Sequence, residues 1–517
     1  MTHAQEMAAL FARLRDSQLA AALPSYLRAQ RWFGAKARTI VDVQLADLVP
    51  FSAAALCFVD LVYDDGGRDA YLLPLAVATG AQANAVRAST QQAIIEDDGD
   101  AVIYDAVYDP AFCTALLDAI GAAQPSPTDD GAFVATPTSA FTRLHGAGPL
   151  VPRISQAEQS NTSIIYGDQL ILKLFRRVVR GINPDLEIGR YLTEQGQFSQ
   201  IAPVAGSLAF ERAGHAPVTL GVLLGYVPNQ SDAWAFMLGM LADLRTRIAA
   251  GDTAPAAPES HAATVSADVA RWYGPTLAAA QQLGRRTAEM HRALAAPTDD
   301  PAFASVPFSA DDARAEVAAM NVLADQVFGD VRARIASQSA RVQADLRTIL
   351  DREPHIRARF DALTQQPLTA LRTRTHGDYH LGQVLATPDG DFVIIDFEGE
   401  PARTLDERRA KRSPLRDVAG MLRSFEYAAA SAFAGDAPLE GWARSWAAWA
   451  AAAFLQSYRE TAGNTAFLPR EQAEFDALLD AYSIEKAVYE LQYELNNRPD
   501  WVRIPAQGIL SLITPDK

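Results

Sequence analysis

Residues 376–401, HGDYHLGQVLATPDGDFVIIDFEGEP, decide how this chain is read. Val384, Leu385 and Ala386 have the character of a strand, Pro388-Asp389-Gly390 of a turn, and Phe392 to Ile395 of a second apolar strand. With Asp389-Gly390 as a two-residue loop, Gln383 falls directly opposite Asp396, so both side chains reach one cation. Asp378 projects from the preceding loop toward the same place. A carboxylate base followed by two oxygen ligands for magnesium is the C-terminal half of a kinase active site, where a hydroxyl is deprotonated beside a cation-bound phosphate chain. An ordinary hairpin with surface acids explains the DG turn. It does not explain HGD, the amide and an apolar strand running into DFE together.

Composition narrows the class. At 517 residues the chain holds two or three domains by size, and 49% hydrophobic with 21% charged residues is a globular balance. No window approaches the roughly 18 uninterrupted apolar residues of a membrane helix. MTHAQEMAALFARLRDSQLAAAL reads as an amphipathic helix with charges throughout, not as a signal peptide. Cys57 and Cys113 lie in apolar contexts without a CxxC partner, as buried thiols of a reducing cytoplasm do. The net charge of −16 argues against nucleic acid or an anionic membrane as partner. A polyanionic nucleotide would then need local cations, which directs attention to Lys173, Arg176 and Arg177.

Polar or Pro-rich stretches at 124–138, 251–266 and 295–307 punctuate the chain. Helical patterning over residues 4–30 gives way to short alternating runs, and 140–228 is strand-rich with one helix. Beyond 266 the pattern is helical except for the hairpin, with long helices expected over Val331–Leu350, Leu439–Arg459 and Gln472–Leu495. Ser309 with an acid three residues on is a helix start, and the Ala-rich tract from Trp446 to Ala453 reads as helix packing. A β-rich lobe followed by a helical lobe carrying one catalytic hairpin is an α+β, bilobal protein-kinase-like layout. Its expected divisions are a segment extra to that layout over 1–112, the rest of the N-lobe over 113–228, and a C-lobe over 229–517.

Residues 159–175, QSNTSIIYGDQLILKLF, form a second expected hairpin, with Thr162–Tyr166 and Leu170–Phe175 as strands and Gly167-Asp168 as the turn. That register sets Lys173 opposite Thr162, beside the Gln159-Ser160-Asn161 loop. Small hydroxyl and amide residues there, including Thr162, suit phosphate oxygens, and phosphoryl transfer rests on such positioning. A snorkelling edge lysine is the plain alternative for Lys173. Asn183-Pro184-Asp185 begins a helix, and Glu187 on its first turn is the preferred carboxylate to orient Lys173, with Asp185 as competitor. Leu223–Pro228 is the expected inter-lobe linker. His376 and His380 flank the base without an HExxH or cysteine companion, so His376 is structural and not a zinc ligand.

QSNTSIIYGDQLILKLFRR, GINPDLE, LGRRTAEMHRAL, HGDYHLGQVL and VIIDFEGEP together resemble the bacterial maltokinases, in the aminoglycoside-phosphotransferase-like branch of the protein-kinase-like fold. The resemblance runs from QRWFGAKAR at 30–38 to NRPDW at 497–501. It implies ATP-dependent phosphorylation of maltose at its anomeric hydroxyl, giving maltose 1-phosphate for α-glucan synthesis, with trehalose synthase as a functional partner. It also implies that the extra segment over 1–112 is a cap on the N-lobe. It matches Asp378 to the catalytic base, Gln383 and Asp396 to the Mg2+ ligands, and Lys173 to the phosphate-binding lysine. In EKAVYELQYEL, Lys486, Tyr489 and Tyr493 share one helix face, suited to stacking on and hydrogen-bonding a sugar, and the maltokinases carry a matching helix. His380 and Arg416 are counted with this sugar side, and Arg416 and Asp417 could instead orient the catalytic loop. Rival readings are a kinase for glucosamine or an aminoglycoside, which wants acids around the acceptor amine, and a non-catalytic pseudokinase scaffold.

Overall fold

The computed structural model describes residues 12–14, 18–123, 125–128, 131–155, 160–195, 198–258, 264–365 and 367–513. The chain divides into two units, Met1–Pro228 and Asn229–Lys517. Of the helix expected over 4–30, Leu19–Ala29 is present, while residues 1–11 and 15–17 lie outside the described residues.

In the first unit, period-two alternation sorts apolar side chains onto two faces. Along the strand Ala54–Tyr63, Ala54, Leu56 and Phe58 enter one core, and Ala55, Cys57, Val59, Leu61 and Tyr63 enter another. The second core is closed by Leu19, Leu23 and Leu27 of the Leu19–Ala29 helix together with Trp32 and Phe33. The sheet so covered runs Ile40–Phe51, Ala54–Tyr63, Arg68–Thr79, Ala101–Asp105, Ile94–Asp97, all antiparallel. Arg177–Val178, far along the chain, pairs with its Arg68–Thr79 strand. A second sheet runs Ser126–Thr128, Gly131–Pro137, Val204–Glu211, Val218–Gly225, Leu170–Leu174, Thr162–Tyr166, Pro152–Ile154. The first core spans both sheets, joining Val49, Phe58 and Tyr104 to Ile164, Leu172 and Leu208. Phe112 and Cys113 sit inside the helix Pro110–Ala122, and Tyr166 donates its hydroxyl proton to the Cys113 carbonyl at 2.7 Å. Leu223 to Gly225 of the expected linker continue a strand, and only 226–228 leave it.

The second unit is helical around a small sheet of Ser231–Asp232, Val384–Ala386 and Phe392–Ile394. Helices at Glu440–Ala462 and Gln472–Asn497 lie where periodicity put them, and Ser309 and Asp312 form a reciprocal capping box. Val331–Leu350 is not one helix. The preceding helix ends at Arg334, and Ser339 starts another by accepting the Val342 amide proton, a competing cap that periodicity alone does not reveal. Small residues let the helix Ala267–Leu294 approach Glu440–Ala462 closely. A Cβ on Gly284 would stand 2.3 Å from the Phe454 carbonyl oxygen, a backbone atom that cannot swing aside. Gly284→Ala is therefore expected to destabilise the unit by about 1–3 kcal/mol, seen as a lower calorimetric midpoint. An unchanged midpoint would mean that the two helices separate freely.

Candidate active site

The His376-Gly377-Asp378 loop is fixed by one buried carboxylate. Asp417, in the helix Leu415–Ala432, accepts the backbone protons of His376 at 2.8 Å and Gly377 at 3.0 Å. It also meets His291 Nε2 at 2.9 Å, whose other ring nitrogen meets the Tyr458 hydroxyl at 2.9 Å. Burial alone would raise the Asp417 pKa, but His291, His376 and the Gly377 amide outweigh it and hold the carboxyl below its usual value. The His376 ring lies between Tyr379 and Phe397, and its Nε2 sits 2.9 Å from the Ile395 carbonyl. These contacts suit a structural histidine. Asp378 is thereby held at the wall of a cleft, half-buried.

The hairpin register differs by one residue from the sequence expectation. Val384 pairs with Ile394 and Ala386 with Phe392, and the Gln383 carbonyl accepts the Ile395 amide at 3.0 Å. Gln383 thus faces Ile395 and not Asp396. The cause is a three-residue loop: Gly390 takes φ +81°, its amide bonds to the Thr387 carbonyl, and the Thr387 amide bonds to Asp391. Asp396 itself has φ +67°, rare outside glycine. This left-handed step breaks strand alternation, so register no longer decides which face the Asp396 side chain takes. Carboxylate oxygens of Asp396 and Glu398 lie within 4.8 Å of each other. Converging carboxylate oxygens are hard donors of the kind magnesium takes.

The cleft is lined by Asp378, Glu400, Arg403, Glu485, Lys486 and Tyr489, among others. Lys486 Nζ is 2.7 Å from Glu400 Oε1 and 3.4 Å from Asp378 Oδ1. Arg403 Nε holds the other Glu400 oxygen at 2.6 Å. Burial opposes ionisation of Glu400, yet Lys486 and Arg403 prevail and pull its pKa down to about 2. Desolvation likewise disfavours the Lys486 ammonium, and Glu400 and Asp378 more than reverse it, raising that pKa. Arg416 Nη1 lies 2.7 Å from Glu485 and Nη2 3.4 Å from Glu316, which also accepts the Tyr482 hydroxyl at 2.9 Å. Arg416 lines the cleft as an anchored cation.

Two expected sugar residues stand elsewhere. His380 does not line the cleft; its Nδ1 accepts the Gly382 amide proton, capping the short turn that carries Gln383, and burial pushes its pKa down. Tyr493 shares the helix face with Lys486 but sits beyond Tyr489, 46% exposed, under the Arg498 guanidinium. Glu400, Glu485, Glu316 and Arg403 were not foreseen as site residues. Glu400 stands in the diagnostic run itself, but its partner is 86 positions away.

In the first unit the hairpin of Thr162–Tyr166 and Leu170–Leu174 is also shifted by one: Lys173 pairs with Ser163, and Leu174 with Thr162, because the loop holds Gly167, Asp168 and Gln169. Lys173 is buried, with Nζ 3.1 Å from Asp185 Oδ2. Asp185, the second-ranked candidate, thus makes this ion pair, and Glu187 lies buried on the same first turn. The Thr162 hydroxyl accepts Arg176 Nε at 2.7 Å, and Arg176 Nη2 lies 2.7 Å from Asp105, so both are engaged within the fold. Ser160 is exposed, Asn161 is buried, and Gln159 lies outside the described residues.

An antiparallel-sheet N-lobe, a helical C-lobe with an HGD loop and a preceding cap define a small-molecule kinase of the protein-kinase-like fold. Residues 26–109 match the maltokinase N-terminal cap domain, which bears out the resemblance seen in the sequence. The chain is 29% identical over 395 residues to a glucosamine kinase of Streptacidiphilus jiangxiensis, covering 75% of this chain and 78% of that one. It is 27% identical over 412 residues to a glucosamine kinase of Mycolicibacterium smegmatis, covering 77% and 87%. Among solved structures, a glucosamine kinase in complex with glucosamine, ADP and inorganic phosphate superposes with a TM-score of 0.62 at 22% identity, over 92% of this chain and 95% of that one. Among the described residues, no helix is long and apolar enough to cross a membrane.

Proposed function

We propose that this chain transfers the γ-phosphoryl group of ATP to the anomeric hydroxyl of maltose, giving maltose 1-phosphate. The observation that carries the choice of a neutral acceptor is the charge state of the cleft. An amino sugar needs an uncommitted carboxylate. Here Glu400 is bound by Lys486 and Arg403, Glu485 by Arg416, and Glu407 by its capping box with Thr404. Asp417 is taken by the catalytic loop and His291. What remains on offer are donors from Lys486 and Arg403 and the ring of Tyr489, which suit hydroxyl oxygens and the apolar face of a sugar.

In this reading Asp378 accepts or orients the proton of the attacking hydroxyl, and Lys486 holds the acceptor beside it. Lys173, steadied by Asp185, binds nucleotide phosphate oxygens, with Glu187 on the same turn and Ser160 and Asn161 in the adjoining loop. Gln383 and Asp396, with Glu398, would hold Mg2+, which neutralises phosphate charge when bound. The expected divisions at 112 and 228, a cytoplasmic place and a functional partnership with trehalose synthase belong to the same proposal.

A second reading is glucosamine phosphorylation, favoured by the names of the relatives over three quarters of the chain. An ADP-release screen over maltose, glucose, glucosamine, trehalose and an aminoglycoside separates the two. Maltose is expected to give the highest kcat/KM, with an anomeric phosphate by phosphorus NMR. A preference for glucosamine would replace the maltose reading, and no sugar-dependent turnover would favour a non-catalytic protein.

A further inference from the structure

Lys486 lines the cleft beside Asp378. Its ammonium lies 3.4 Å from Asp378 Oδ1, within reach of the substituent on the carbon next to a hydroxyl held by Asp378. In a neutral sugar that substituent is a hydroxyl, which accepts a proton from Lys486. In a 2-amino sugar it is an ammonium, which meets a like charge. The carboxylate that could welcome such an ammonium is present but occupied. Glu400 Oε1 is taken by Lys486 at 2.7 Å, while Arg403 holds Oε2 at 2.6 Å.

We propose that the Lys486–Glu400 ion pair sets acceptor choice, admitting a hydroxyl and rejecting an ammonium on the carbon next to the phosphorylated one. The inference rests on the anomeric-kinase reading above. Lys486 acts as a built-in cation in the place an amino sugar's own cation would fill. Removing it leaves Arg403 on Glu400 Oε2 and opens Oε1 to an incoming ammonium. The pair is local to the cleft: Glu490, one turn further along the Lys486 helix, is bound at 2.8 Å by Arg423 of the helix Leu415–Ala432, and the ion-pair contacts of Lys486 are with Glu400 and Asp378.

The test is Lys486→Met in the full chain, with Lys486→Gln beside it should the first fold poorly. Glucose and glucosamine differ only in the substituent at issue. The quantity read is the ratio of their kcat/KM values or, where glucose turns over slowly, of their inhibition constants against the wild-type acceptor. That ratio is expected to move toward glucosamine by about tenfold or more relative to wild type, the scale at which a like-charge contact discriminates. Adding Glu400→Gln to Lys486→Met should erase the gain. Equal losses for both sugars, or a gain that survives the double substitution, would overturn the proposal. The wild-type acceptor screen judges the maltose reading separately. A wild type that prefers glucosamine to glucose would overturn both, whereas a wild type that prefers neutral sugars without the variant's shift would overturn the ion-pair proposal alone.

Discussion

Asp378→Asn will leave the fold intact and lower kcat by about a hundred- to ten-thousand-fold, the span a positioned general base contributes. The amide keeps the shape of the carboxylate but cannot take a proton from the attacking hydroxyl. Lys486 loses one of two carboxylate neighbours and keeps the nearer, Glu400, so the cleft should not rearrange. The loop should not move either, since Asp417 holds it through the His376 and Gly377 amides, and neither contact involves the 378 side chain. The measurement is steady-state turnover at saturating ATP and sugar, with a thermal midpoint to check folding. Turnover near that of wild type, with an unchanged midpoint, would remove Asp378 from the chemistry.

The second large effect is expected at Asp396. Its φ of +67° makes the choice of substitution matter. Alanine would remove the carboxylate and add backbone strain, whereas asparagine tolerates the left-handed region and removes only the charge. Asp396→Asn should weaken MgATP binding by about 10- to 100-fold at least, the loss found when even an outer partner of a metal ligand is removed. Binding of ATP without magnesium should change little. Calorimetric titrations with magnesium and with a chelator give the two affinities. Equal loss in both, or none in either, would take Asp396 out of the cation site.

The hairpins were legible because alternation and Asp-Gly or Gly-Asp turns are local signals. Their register was not, since two- and three-residue loops around one glycine differ only in the backbone angles of Gly390 and Gly167. Lys173, Asp378 and the Asn183 helix start were found from residue type in context. The choice of Asp185 for the Lys173 pair needed the helix set against the strand. Glu316, Glu485 and Arg403 could not have been found that way. Each is an ordinary helical or loop charge until folding brings its partner from 69 to 166 positions away, or three residues away in a loop of unforeseen shape. Arg416 was singled out, but its ties to Glu485 and Glu316 make it an anchor for that network.

The two-residue strand Arg177–Val178 has a consequence for how such a chain can be cut or rebuilt. It follows the nucleotide hairpin directly, yet its backbone partners are Tyr71 and Ala70 of the leading sheet. The Leu72 amide adds a bond to the Arg176 carbonyl at 2.7 Å. The N-terminal segment is therefore stitched in, not appended. A shortened gene starting after residue 109 would strip one side of the shared core and leave open backbone on the segment just past Lys173. Exposed edges of that kind recruit other chains. Such a product should be judged first as an aggregation problem, and a loss of activity in it would say little about catalysis.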